Sequence, residues 1–346
     1  MIVAIDGRAA ARPELGGVER WARELAARLP ALRPGGYVVL RPPAALAHRA
    51  GHAWEQAVLP ARAWRLRAGV LLCPANLAPL ASARTAVVVH DAAALRHPDW
   101  YSAAYAAWQR TVLPAIVRRS RTLITVSDFS RRELVELTGA DPARIAVIPG
   151  GVDERFSPDA DPEPARRALG LRRPYVLCVA SHTARKNLAA LVPAARGLAG
   201  QGIEVVVAGG HRPQFAREEG LDALRAPGPV ADDLLPGLYA GALAFALPSS
   251  YEGFGLPVLE AMASGTPVVA AAAGALPGTC GGAAQLVEPE GEAFATALTA
   301  LAADDPERER LRAAGLERAA GFPWDATARA VDALLFSRDG APGRSA

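Results

Sequence analysis

The feature that most constrains this chain is a repeat of short, uniformly apolar runs separated by stretches of helical periodicity. Ile2–Ile5, Tyr37–Leu40, Val70–Cys73, Ala86–His90, Thr122–Val126 and Ile145–Ile148 are such runs. With almost no polar alternation, each reads as a strand covered on both faces. Between them, Val18–Leu29, Ala103–Arg119 and Ser130–Thr138 carry the 3.6-residue period of amphipathic helices. Ser127 or Asp128, ahead of Arg131-Arg132-Glu133, supplies a helix N-cap. Strand and helix alternating in this way imply α/β domains built on parallel sheets.

The pattern breaks in Ser157–Pro174, where Pro and Asp crowd together, and then restarts. Tyr175–Val179, Ile203–Ala208, Leu243–Leu247 and Pro267–Ala271 read as strands. Asn187–Leu198, Asp233–Ala240, Leu256–Ala263 and a last segment around Trp324–Phe336 read as helices. The expectation is two doubly wound domains in series, over residues 1–165 and 166–325. A closing helix and tail, 326–346, would return to the first. A length of 346 residues suits two domains. Such folds take ligands at the carboxyl ends of their strands, and two in series create a cleft.

Charge and cysteine content narrow the function class. The formal net charge of +3 is too small to argue for nucleic acid. It divides unevenly, with 21 arginines against 16 acids up to residue 165 and 17 basic against 19 acidic residues after it. The apolar run of MIVAIDGR is too short for a signal peptide, and Leu256–Leu276 is too interrupted to span a membrane. Cys73, Cys178 and Cys280 are scattered and odd in number, as expected of reduced thiols in a cytoplasmic protein.

Of 38 basic residues, Lys186 alone is lysine. In a chain so rich in arginine, the one remaining lysine marks a site where a compact ammonium is needed and a planar guanidinium will not serve. A second signal is Ser250-Tyr251-Glu252-Gly253-Phe254-Gly255-Leu256-Pro257, which runs into Glu260. Gly253 and Gly255 allow close backbone approach to a ligand. Pro257 suits a first helical turn, so the N–H groups of Phe254, Gly255 and Leu256 would face an anion. Two carboxylates beside a phosphate site repel it unless they serve hydroxyl groups instead, as on a ribose and a sugar. A Gly-rich turn whose glutamates favour the helix dipole is the other reading of the loop taken alone.

EGFGLPVLE, a glutamate, seven residues and a second glutamate, resembles the signature of the family 4 (group 1) retaining glycosyltransferases. The resemblance runs from Ile5 to about Trp324. It takes in Gly16-Gly17-Val18-Glu19-Arg20, Val89-His90-Asp91, Val126–Glu133, Ile148–Asp153, Arg185-Lys186-Asn187 and Leu238–Ala242. It implies the GT-B fold, α/β with two facing Rossmann-like domains and a central cleft. It also implies that Glu260 binds the ribose hydroxyls, that Glu252 contacts the transferred sugar, and that the backbone of Phe254, Gly255 and Leu256 holds sugar hydroxyls and phosphate. Lys186 with Arg185 would neutralise the leaving diphosphate. The loop at Pro229–Val230 would touch the base, Gly16 and Gly17 would close over the donor, and His90 would support the sugar as positive charge develops.

The chain departs from the family where a Gly-Arg pair is usual: Ser181 stands in the arginine's place, leaving more of the phosphate charge to Lys186 and Arg185. Leu276-Pro277-Gly278 stands where Pro-Glu is common. The resemblance implies no cofactor and no metal. Donors rank as GDP-mannose, then UDP- or dTDP-sugars; the acceptor is a sugar, a lipid-linked molecule or a small molecule in bacterial polysaccharide or natural-product synthesis. Trp54, Trp64, Trp100 and Trp108 are candidates for stacking on it, and Arg62–Arg67 with Arg118–Arg121 for meeting a membrane surface. The competing readings are a sugar-nucleotide epimerase of the same fold, a pyridoxal-phosphate phosphorylase, for which the chain is short, and a degenerate binding module.

Overall fold

The computed structural model describes residues 1–12, 16–43, 51–210 and 220–337, the side chain of His52 excepted. The tail expected over 338–346 lies outside the described residues. The chain forms two compact units. The first comprises Met1–Arg96, Ala106–Gly150 and the chain from Trp324; the second comprises His97–Tyr105 and Gly151–Pro323.

In the first unit, β1 (Val3–Asp6), β2 (Tyr37–Leu40), β3 (Val70–Cys73), β4 (Thr85–Val89), β5 (Thr122–Thr125) and β6 (Ile145–Val147) form a sheet in the order β2-β1-β3-β4-β5-β6. Every pairing is parallel. Each residue of β1, β3 and β4 is buried, which is why those sequences lack alternation. The unit's helices include α1 (Gly17–Leu32), α2 (Leu59–Arg65), α3 (Ala103–Arg119), which begins in the second unit, and α4 (Asp128–Thr138). The Ser127 hydroxyl caps α4 by accepting from Ser130 N at 3.0 Å.

In the second unit, β7 (Tyr175–Val179), β8 (Glu204–Ala208), β9 (Arg225–Gly228), β10 (Ala244–Leu247), β11 (Val268–Ala271) and β12 (Gln285–Val287) form a parallel sheet in the order β12-β11-β10-β7-β8-β9. Its helices include α5 (Glu163–Leu169), α6 (Val192–Ala199), α7 (Leu235–Ala240), α8 (Leu256–Ala263), α9 (Leu276–Cys280), α10 (Gly291–Ala303) and α11 (Asp305–Ala320). The closing helix α12 (Trp324–Phe336) belongs to the first unit and packs on α1, with Trp324 edge-on to Trp21 at 6.4 Å. Arg33 grips Asp332 through Nε at 2.8 Å and Nη2 at 2.7 Å, and the Tyr37 hydroxyl donates to the same carboxylate at 2.9 Å.

Several elements differ from the sequence expectation, each for a physical reason. The edge strands β9 and β12 carry no apolar run: they read Arg-Ala-Pro-Gly and Gln-Leu-Val, with Leu286 37% exposed. Ser157–Pro174 is not a bare linker, because it contains α5, ended by Gly170 in the left-handed region. The crossover into the second unit comes earlier, at Gly150–Gly151. A side chain on Gly237 would meet the Asp161 carbonyl oxygen at 2.1 Å, so this segment is built into the second unit. The helix expected from Asp233 starts at Leu235, with Pro236 in its first turn, and Asp232 ahead of it pairs with Arg155 at 2.6 Å. The helix expected from Asn187 begins as a 3-10 turn, Leu188–Leu191, because Asn187 is itself left-handed.

Gly209, just past β8, has a φ of 149°, and a Cβ there would lie 2.0 Å from the Ala180 carbonyl oxygen at the end of β7. That close approach sets the start of the loop carrying Arg185 and Lys186. Gly209→Ala is expected to cost at least ~3 kcal/mol, because neither backbone can move without breaking the β7–β8 ladder. The melting temperature checks this; an unchanged value would show that the strand ends part freely.

Candidate active site

The site grows from loops at the carboxyl ends of β7, β10 and β11. After β10 the chain turns through Pro248–Gly255 into α8. Gly255 is the N-cap of α8, with a φ of 101°, and a Cβ there would meet Leu276 Cδ2 at 2.7 Å. A side-chained residue fits neither the conformation nor the space. Phe254 and Gly255 lead into the first turn of this helix, whose N–H groups have no partner within the helix and suit a ligand oxygen.

The helix α8 is almost wholly apolar: Leu256, Val258, Leu259, Ala261 and Met262 are buried. Glu260 is the exception, 5% exposed. Its Oε2 accepts the Tyr239 hydroxyl of α7 at 2.9 Å, and the Tyr239 carbonyl accepts the Thr266 hydroxyl at 2.7 Å. A buried carboxylate needs such a donor, because an unsatisfied one would cost several kcal/mol.

Glu252, on the loop before α8, is 6% exposed and bonds through Oε1 to the Lys186 ammonium, itself 7% exposed. Arg185 Nη1 stands 3.7 Å from Oε2 of the same carboxylate and donates to the Tyr251 carbonyl at 3.4 Å. Lys186 ends a 3-10 turn, Ala184–Lys186, and Asn187 follows in the left-handed region with φ 51° and ψ 43°. Asn187 Nδ2 donates to the carbonyls of Pro248 at 3.1 Å and Pro289 at 2.8 Å. One amide thus ties the loops after β7, β10 and β12 together. Ser250 N donates to the Arg185 carbonyl at 3.0 Å, and Ala275 N to the Glu252 carbonyl at 3.0 Å. Gly274, with a φ of 60°, lets the Glu252 backbone pass where a Cβ would lie 2.7 Å from its nitrogen.

Burial pushes the Lys186 ammonium below its usual pKa, with Glu252 opposing that shift and Arg185 adding to it. For Glu252, burial would raise the pKa, but the charges of Lys186 and Arg185 outweigh it and hold the carboxyl low. The contact between ammonium and carboxylate is that of an ion pair. Glu252 contributes stability above its unfolded pKa, near 4.3, and that contribution is lost as pH falls through the lower folded value. Glu252→Gln is expected to destabilise by about 3 to 5 kcal/mol, because Lys186 is left charged and unpaired. Without Glu252 the Lys186 pKa drops further, the folded state binds fewer protons than the unfolded one, and stability rises with pH towards lysine's ordinary value. Thermal melts between pH 6 and pH 10 check this; a variant profile parallel to the wild type would refute the pairing.

Ser181 and Val230 lie half-buried beyond the ends of β7 and β9, and Gly253 is buried beside Glu252. Three predicted residues belong to the first unit. Gly16 is the N-cap of α1 and Gly17 its first residue. Gly16 N donates to Glu19 Oε2 at 3.1 Å, and Arg12 Nη1 to Glu19 Oε1 at 2.9 Å. His90 follows β4: its Nε2 donates to the Pro74 carbonyl at 2.9 Å, its N donates to Asn76 Oδ1 at 2.7 Å, and its carbonyl accepts the Ser130 hydroxyl at 2.9 Å. Burial lowers its pKa and keeps the imidazole neutral. Of the tryptophans, Trp54 is core and donates to Asp6 at 2.9 Å, Trp64 is 80% exposed, and Trp100 and Trp108 are half-buried. Sequence reasoning missed Tyr239 and Asn187 as supports. Both sat within quoted motifs, but nothing in their spacing showed which carboxylate or carbonyl they would reach.

The chain is similar in sequence and in fold to known proteins. The family described as "Glycosyl transferases group 1" matches residues 173–304, which hold Lys186, Glu252 and Glu260; "Glycosyltransferase Family 4" matches residues 15–156. A D-inositol 3-phosphate glycosyltransferase of Kribbella flavida is 36% identical over 237 residues, 62% of this chain and 56% of that protein. The chain thus spans just over half the length of that relative. The O-antigen chain mannosyltransferase B of Escherichia coli is 30% identical over 261 residues, 70% of this chain and 67% of that one. Sucrose-phosphate synthase from Thermosynechococcus elongatus superposes with a TM-score of 0.77 at 23% identity, over 97% of this chain and 98% of that one. Anabaena HepE in complex with UDP-glucose does so with 0.75 at 18% identity, over 97% and 100%.

Proposed function

The chain belongs to the family 4, group 1 glycosyltransferases, and we propose that it moves a sugar from a nucleotide-activated donor to an acceptor hydroxyl, with retention of configuration and without a metal ion. The observation that carries this reading is the arrangement of Lys186, Arg185 and Glu252 on the loops that lead to the N-terminus of α8, with Glu260 in the same helix. Ammonium, guanidinium and helix N–H groups suit a diphosphate; the two carboxylates suit hydroxyls. An ammonium has three N–H donors and Glu252 takes one, so Lys186 serves both ends of the donor.

In the reaction the bond between the anomeric carbon and the diphosphate oxygen breaks, and the acceptor oxygen forms the new bond on the same face. The acceptor proton passes to the departing phosphate. Lys186, Arg185 and the α8 terminus stabilise the charge that develops on that phosphate. Glu260 holds the ribose and Glu252 the sugar, while Val230 and Ser181 line the base and phosphate ends. Acceptor binding falls to the first unit. GDP-mannose is the first donor to test, its mannose matching the name of the Escherichia coli mannosyltransferase, and UDP-sugars are the second, in line with the UDP-glucose bound by Anabaena HepE.

The reading also places the protein against an anionic membrane surface on the cytoplasmic side. Trp64 is 80% exposed among exposed Arg62, Arg65 and Arg67, and Met1, 60% exposed, lies against Gly69. Leu71 N donates to the Arg84 carbonyl and Arg121 N to the Thr85 carbonyl, so Arg84 and Arg121 stand at the neighbouring starts of β4 and β5. From Leu25 to His90 the one acid is Glu55, and it is buried against Arg8. An exposed indole beside arginines is the chemistry of a headgroup contact. Among the described residues no helix is long and apolar enough to cross a membrane.

A thermal-shift panel of GDP, UDP, dTDP and ADP without metal tests the donor site. Saturation at about a hundred times Kd adds roughly 2.7 kcal/mol, a rise of a few degrees. The shift is expected for one base and is expected to vanish in Glu260→Ala. Lys186→Ala is expected to lower transfer by about a hundredfold or more; normal turnover would sink the reading. Co-sedimentation with phosphatidylglycerol vesicles is expected for the wild type and weakened in Trp64→Ala, with nucleotide binding unaltered. Equal pelleting of both proteins would remove the membrane assignment.

A further inference from the structure

The second unit contains a piece of chain from an unexpected place. His97–Tyr105 lies between two segments of the first unit in sequence, yet packs with the second. The reason is local and aromatic. Pro98–Trp100 is a 3-10 turn with proline at its start and His97 as its N-cap. The turn brings the rings of His97 and Trp100 together, stacked at 3.9 Å with 17° between planes. Both then meet the ring of Tyr251 edge-on, His97 at 5.8 Å and Trp100 at 6.4 Å. Tyr101 stacks on Tyr105 at 5.4 Å and continues the aromatic run into α3.

Tyr251 is the residue before Glu252 and is 3% exposed. Arg185 donates to its carbonyl, and a Cβ on Gly274 would lie 3.5 Å from its Cα. Its backbone is thus boxed by the loops after β7 and β11, while its ring is held by His97 and Trp100. Glu260 accepts from a different residue, the Tyr239 hydroxyl of α7.

We propose that His97 and Trp100 are positioning residues for the sugar end of the donor site: they clamp Tyr251 and so fix the place of Glu252. The proposal rests on the donor-site reading above and adds that the clamp acts on Glu252, whose named partners differ from that of Glu260. Loosening the clamp then harms recognition of the sugar and spares the nucleotide. A purely structural role would weaken both together.

The test uses the full chain, with isothermal titration of GDP, UDP, GDP-mannose and UDP-glucose against the wild type, Trp100→Ala and Trp100→Phe. In Trp100→Ala the Kd of the nucleoside diphosphate is expected to change less than about twofold, while that of its sugar conjugate rises roughly tenfold or more. Trp100→Phe keeps an aromatic face for His97 and Tyr251 and is expected to recover most of the loss. Parallel loss for diphosphate and conjugate, or no loss for either, overturns the clamp while leaving the donor site standing. A wild-type protein that binds none of the four probes overturns the donor-site reading and the clamp with it. If Trp100→Ala does not fold, Trp100→Phe and His97→Ala decide on the same comparison of the two probes.

Discussion

The buried ion pair between Lys186 and Glu252 is the interaction on which the site depends. Each group loses most of its hydration, and that loss is offset only if the partner and the surrounding dipoles stay in place. The fold supplies that constancy by tying loops to one another. Asn187 bonds to the carbonyls of Pro248 and Pro289, Ser250 bonds back to Arg185, and Ala275 bonds to Glu252. Gly274 and Gly209 remove the Cβ atoms that would hold these backbones apart. The pair therefore acts as a spacer between loops as well as a charge pair.

The two carboxylates illustrate how one short motif can hold unlike chemistry. Glu252 is flanked by two cations and is an acceptor held low in pKa. Glu260 sits in an apolar helix, with a phenol as its named partner. One is held by charge and the other by a hydrogen bond from a phenol.

The first unit is organised around different polar contacts. Asp6 at the end of β1 accepts from Trp54, and Arg8 pairs with Glu55, whose pKa is pushed up to about 7 chiefly by burial. Asp332 brings the closing helix back to Arg33 and Tyr37.

The sequence by itself determined the strands buried on both faces, because continuous apolar runs have few other stable destinations in water. It also singled out Lys186, Glu252 and Glu260, through the rarity of lysine here and through a glycine loop entering an apolar helix. The edge strands β9 and β12 were illegible because a half-solvated edge does not require apolar residues. Helix α5 hid among prolines that suit a first turn as well as a linker. Which side chains meet was decided only by tertiary structure. Tyr239 and Glu260 are 21 residues apart, Asn187 and Pro289 are 102 apart, and Trp100 reaches Tyr251 from a segment flanked by the other unit. Such contacts depend on strand order and loop closure, and no local period encodes them.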